Sequence, residues 1–90
     1  MKTLADIKRR YTARESVKMI WNSYQPERIG KVFTPEKIQT NAVMFEGKYW
    51  HHYRKAAQYR IDSPDVFTVL GDDMAPLVSY KFIKNEGEAG

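Results

Sequence analysis

Apolar side chains in this 90-residue chain recur at every second position, in runs too short for most helices and bounded by turn residues. Val17, Met19 and Trp21 alternate with Lys18, Ile20 and Asn22, and Val78, Tyr80 and Phe82 alternate with Leu77, Ser79, Lys81 and Ile83. A period of two places successive side chains on opposite faces of an extended strand, so each run presents one face to a core. Further short runs fall at residues 28–34, 37–45, 49–53, 59–61 and 66–70.

The breaks carry recognisable turn chemistry. Tyr24, Gln25, Pro26 and Glu27 form one turn, and Asp62, Ser63, Pro64 and Asp65 another. Glu46, Gly47 and Lys48 close a hairpin, with glycine supplying the positive φ of a tight turn. Gly71, Asp72 and Asp73 turn the chain again, and Asn41 predicts a bend. Pro35 cannot donate to a central ladder, so a loop, bulge or edge is expected there. Short strands separated by turns every ~8–12 residues predict a mainly β domain. The expected form is a small antiparallel SH3-like barrel or a curved sheet of five to six strands.

One helix precedes them. Thr3 and Asp6 provide side-chain oxygens for free N–H groups of a first turn. Leu4, Ile7 and Tyr11 then fall on one helical face, with the end expected near Arg10 or Tyr11. A chain this short is one domain, here residues 1–84, burying ~60–65% of its unfolded surface. Residues 85–90 read as a polar, disordered tail. Such a core suits a monomer or a small homo-oligomer.

Composition narrows the function classes. The chain has no cysteine, which excludes disulfide scaffolds, thiolate metal sites and cysteine nucleophiles. Charges at Lys2, Lys8, Arg9 and Arg10 occupy the place of a signal peptide's apolar run, and no stretch approaches the ~18 apolar residues of a membrane span. A cytoplasmic protein with no membrane contact is expected.

The net charge of +4 is unevenly spread. Residues 1–18 carry Lys2, Lys8, Arg9, Arg10, Arg14 and Lys18 against Asp6 and Glu15. Residues 48–61 carry Lys48, Arg54, Lys55 and Arg60 with no acid, whereas residues 62–90 are net acidic. Segregated charge bears on partners rather than on fold.

No motif points to catalysis. His51 and His52 are adjacent on a strand and project to opposite faces, so they cannot share one metal; one half-buried ring and one exposed ring is the expectation. Ser16, Ser23, Ser63 and Ser79 stand in no nucleophile elbow. Asp62, Asp65, Asp72 and Asp73 lie in turns, where aspartate caps its own backbone. The sequence implies no enzyme, no metal and no cofactor.

The segment Lys48, Tyr49, Trp50, His51, His52, Tyr53, Arg54 and Lys55 interleaves cations with rings, a mixture that binds single-stranded nucleic acid by stacking and phosphate pairing. Trp50 is expected to face inward, Tyr49 and Tyr53 outward. With Lys8, Arg9, Arg10 and Arg14 from the helix, and Arg60 beyond, these residues (Lys48, Tyr49, Tyr53, Arg54 and Lys55 included) are the candidate binding surface.

The opening Met1, Lys2, Thr3, Leu4, Ala5, Asp6, Ile7, Lys8, Arg9 resembles a family of small uncharacterised proteins of phages, prophages and bacteria. The likeness extends to residues 37–43 followed by Tyr49 and Trp50, to residues 53–56, and to Phe67, Thr68 and Val69 with Leu77 and Tyr80. The chain departs from that family at Arg54, where proline is usual, and in a longer connection at residues 32–36. The resemblance implies a β-rich domain without catalytic residues. Two readings follow: a module that binds a host or viral protein, or a nucleic-acid-binding module built on residues 48–60 and 8–14.

Overall fold

The computed structural model describes residues 1–45, 47 and 49–83, and for Tyr49 and Trp50 the backbone alone. Lys48, the inward placement of Trp50, the outward placement of Tyr49 and the tail at 85–90 lie outside the described residues.

Helix α1 spans Leu4–Thr12. The Asp6 carboxylate reaches back to accept the N–H groups of Lys2, at 2.7 Å, and Thr3, at 3.2 Å. Those contacts, with the Arg9 guanidinium, hold it below the usual carboxylate range. Ile7 and Tyr11 form the buried stripe. Arg14 ends the helix in the left-handed region, at φ 63°, and its guanidinium donates to the carbonyls of Pro35 and Glu36 at 3.2 and 2.6 Å.

The strands are β1 (Ser16–Asn22), β2 (Val32–Phe33), β3 (Pro35–Gln39), β4 (Ala42–Phe45), β5 (Tyr49–His52), β6 (Tyr59–Ser63), β7 (Val66–Leu70) and β8 (Pro76–Ile83). Eight strands are present among the described residues, against the expected five to six, and two of the expected runs differ locally. The run at 28–34 is broken by Gly30 at φ 97°, leaving a 3₁₀ turn at Pro26–Arg28 and a two-residue β2. The run at 37–45 folds back at Thr40 and Asn41 into two paired strands. The irregularity expected at Pro35 is present as a register shift between Pro35 and Lys37. Gly47 takes the positive φ expected of it, 73°.

The ladders among the described residues are all antiparallel. They build a five-stranded sheet in the order β2-β1-β8-β7-β6 and a three-stranded sheet in the order β3-β4-β5. The chain passes from one sheet to the other through Thr34, whose hydroxyl lies 2.7 Å from that of Ser16. No ladder among the described residues joins β5 to β6, so the two sheets are not closed into the expected barrel there.

The core lies between them. Val17, Phe33, Phe67, Val69 and Phe82 face it from the larger sheet, Val43 and Phe45 from the smaller. Tyr11 links both to the helix, its ring 5.8 Å from Phe45, 6.5 Å from Phe67 and 5.4 Å from Phe82. Removing a ring so placed costs about 3–5 kcal/mol through lost contacts and the resulting cavity.

Candidate functional site

Most of the described cations among the sequence-predicted residues have partners within the chain. Arg10 donates to Glu15 at 2.7 Å and to the Pro64 carbonyl at 3.1 Å, pairs with Asp65 at 3.0 Å, and lies 4.3 Å over the Phe82 ring. Arg9 pairs with Asp6, Arg54 with Asp72 and Arg60 with Asp62. Arg14 clamps the start of β3. Lys8 donates to the Thr40 carbonyl at 3.4 Å and sits 4.6 Å over the Tyr53 ring. Lys55 is exposed. Charges segregated along the sequence therefore meet within the fold: residue 10 finds residue 65, and residue 54 finds residue 72. Among the described residues of the expected surface, Arg9, Arg10, Arg54 and Arg60 thus have part of their charge offset by acids of the same chain.

The expected turn-capping role of the aspartates holds for Asp73, which accepts the Ala75 N–H at 3.0 Å. Asp62, Asp65 and Asp72 instead receive Arg60, Arg10 and Arg54.

Tyr53 requires a correction. Its ring packs on the core cluster and stacks at 6.4 Å on Tyr11, instead of facing outward. Tyr53 keeps the parity of His51, which lies opposite the core residue Val43 on β4, so this parity is the inward one and the outward placement expected of Tyr53 is reversed. His51 is half-buried and His52 exposed, as the opposite-face argument predicts. The His51 ring lies 6.5 Å from Tyr53 and 6.1 Å from Tyr80 on β8. Its Nδ1 is shut off from solvent without a hydrogen-bond partner, as are the hydroxyls of Tyr11 and Tyr53. Burial, reinforced by Arg54 and His52, pushes the imidazole down to about 4. Burial likewise raises Tyr53 and Tyr80 to about 12. His51 on β5 and Tyr80 on β8 thus meet across the two sheets.

A different surface stands open. Residues paired directly across strands share a face. Val32, Lys18, Lys81 and Val66 thus form one row across β2, β1, β8 and β7, on the side opposite Val17 and Phe82. Trp21, Ser79, Thr68 and Arg60 form the next. Thr68 is hydrogen-bonded to Ser79 at 2.7 Å and donates to Asp62, which closes the β6 end of this face with polar pairs. The β1–β2 end is apolar and open. Ile20, Trp21, Tyr24, Ile29 and Val32 are exposed there, Tyr24 by 76%.

Backbone bonds from Met19 to Lys31 and from Gly30 to Met19 hold the 29–32 segment beside β1. Beyond Trp21, Tyr24 and Gln25 line a shallow cleft of about 260 Å³ with Asn22, Leu77 and Val78. The sequence did carry a signal of this patch. Adjacent Ile20 and Trp21 extend apolar character to both parities of β1, and the two sit at a register shift between Met19 and Trp21.

Among the described residues no group of three His, Asp or Glu side chains gathers as a metal site, and no helix is long and apolar enough to cross a membrane. Compared with protein-family models, with curated proteins and with solved structures, the chain gives no match in any of the three.

Proposed function

We propose that this chain is a non-enzymatic interaction module that binds a protein partner through the β1–β2 corner of its larger sheet. The observation that carries the reading is the exposed group Ile20, Trp21, Tyr24, Ile29 and Val32. Large apolar side chains clustered on one surface, with a tryptophan and a tyrosine among them, suit the desolvated centre of a protein interface. The adjoining cleft offers a place for an anchoring side chain. The resemblance to small phage and prophage proteins supports a partner of host or viral origin.

The nucleic-acid reading has less behind it. It was built on the cations of residues 8–14 and 48–60, and of these Arg9, Arg10, Arg54 and Arg60 are each held by an acid of the same chain.

The test is capture from nuclease-treated lysate, comparing the native chain with a Trp21→Ser, Val32→Ser variant of unchanged circular dichroism. Specific capture by the native chain that the variant loses is expected. Capture indifferent to both substitutions, or steeply salt-dependent binding to DNA or RNA alone, overturns the reading.

A further inference from the structure

Lys18 and Lys81 stand directly opposite one another on β1 and β8, both exposed, on the open face of the larger sheet. Like charges opposed across an antiparallel pair repel, with Cβ atoms only ~4.5–5.5 Å apart. Among the described residues neither ammonium has an ion-pair partner, whereas Arg9, Arg10, Arg54 and Arg60 are each paired with an acid. Lys31, exposed and equally unpaired, flanks the same corner. Across residues 16–33 and 76–83, Glu27 is the single acid. Val32 and Val66 flank the two lysines in their row, and Trp21 lies in the next row.

We infer that this face recognises an acidic, apolar protein segment: carboxylates seated between Lys18 and Lys81, apolar side chains on Trp21 and Val32. The inference rests on the protein-binding reading above and adds the chemistry of the partner. A carboxylate placed between the two ammonium groups turns an unfavourable pair into two favourable ones, which gives specificity and a fast encounter. A second copy of this chain would bring the same lysines face to face, so self-association is disfavoured by charge. Beside the rings of Trp21 and Tyr24, the exposed neighbours Ile20, Ile29 and Val32 are aliphatic, a surface that suits apolar protein side chains better than nucleobases, so protein carboxylates are favoured over phosphates.

The experiment is a titration of ¹⁵N-labelled protein, followed by amide shifts, with three probes. These are a peptide alternating Trp, Val and Leu with Asp and Glu, its counterpart with Lys in place of every acid, and oligothymidine. The acidic peptide is expected to move the amides of Lys18, Trp21, Val32 and Lys81, while the lysine peptide binds about tenfold more weakly or not at all. A Lys18→Glu, Lys81→Glu variant should reverse that preference, and Trp21→Ala should weaken it while leaving the preferred sign of charge unchanged. Equal binding of both peptides at this face overturns the inference but leaves the protein-binding reading standing. Oligothymidine displacing the acidic peptide from the same amides overturns both. No shift at these amides with any probe overturns the inference, and the capture test above then decides the broader reading independently.

Discussion

His51 and Tyr80 meet ring to ring across the gap between the two sheets, 6.1 Å apart, with the His51 Nδ1 shielded from water and unpartnered. The residue as a whole is only half-buried, yet this ring atom is fully enclosed, and the atom governs the cost of charging it. The groups facing it are Tyr53 and Tyr80, with Arg54 and His52 close enough to oppose a positive charge.

Stability should therefore fall as the solution is acidified. The folded imidazole titrates near 4 against an ordinary 6.5, so between those values the unfolded chain binds the extra proton. Folding free energy is then lost progressively from pH 6.5 down to about 4, by about 3 kcal/mol in total. Urea midpoints measured across this window should shift far less for His51→Phe than for the native chain. Parallel pH profiles for the two would refute the assignment.

Arg10 and Asp65 join the end of α1 to the β6–β7 turn at 3.0 Å. Arg10 is largely buried and also serves Glu15, the Pro64 carbonyl and the Phe82 ring. Arg10→Met should cost about 1–3 kcal/mol by leaving those partners unmatched. Asp65, itself more than half exposed, should cost under about 1 kcal/mol when changed to Asn. A double-mutant cycle read by chemical denaturation measures their coupling, and a value of zero would place the role of Arg10 in packing alone.

Lys18→Glu should stabilise the free protein. It replaces a like-charge cross-strand pair with Lys81 by an opposite one, an exchange on the order of 0.2–1 kcal/mol. The gain should shrink in high salt. A raised melting temperature accompanied by weaker acidic-peptide binding would show that the opposed lysines are kept for recognition at a cost in stability. Unchanged or lowered stability would remove that argument.

The Tyr11 hydroxyl lies in the core without a partner, and burial holds it firmly protonated. Tyr11→Phe keeps the ring contacts with Phe45, Phe67 and Phe82 and removes the unmatched polar atom. Stability should rise by about 1 kcal/mol. A loss of stability in thermal or urea unfolding would instead show that the hydroxyl is satisfied in solution.

Much of the fold was legible because its signals are short-range. The helix start could be read from Asp6, three residues after Thr3, and the hairpin from Gly47. The bulge at Pro35 followed from a missing N–H. The strand count was not legible, because runs such as 37–45 have the same two-residue period whether they continue or fold back at Asn41. The candidate site was less legible still. Tyr53 shares its parity with His51, but alternation does not say which face meets the core, and the pairing of His51 with buried Val43 makes that face the inward one. Arg10 looked like a free cation because its partners Pro64 and Asp65 are more than fifty positions away.

Residue pattern alone determined that this chain forms strands and one capped helix, since period, turn chemistry and capping act over a few bonds. Tertiary structure decided which charges remain available. The order β2-β1-β8-β7-β6 carries Lys81 opposite Lys18, and the packing of α1 against the larger sheet brings Asp65 to Arg10. Electrostatic energy depends on distance in space and on burial, neither of which strand periodicity encodes.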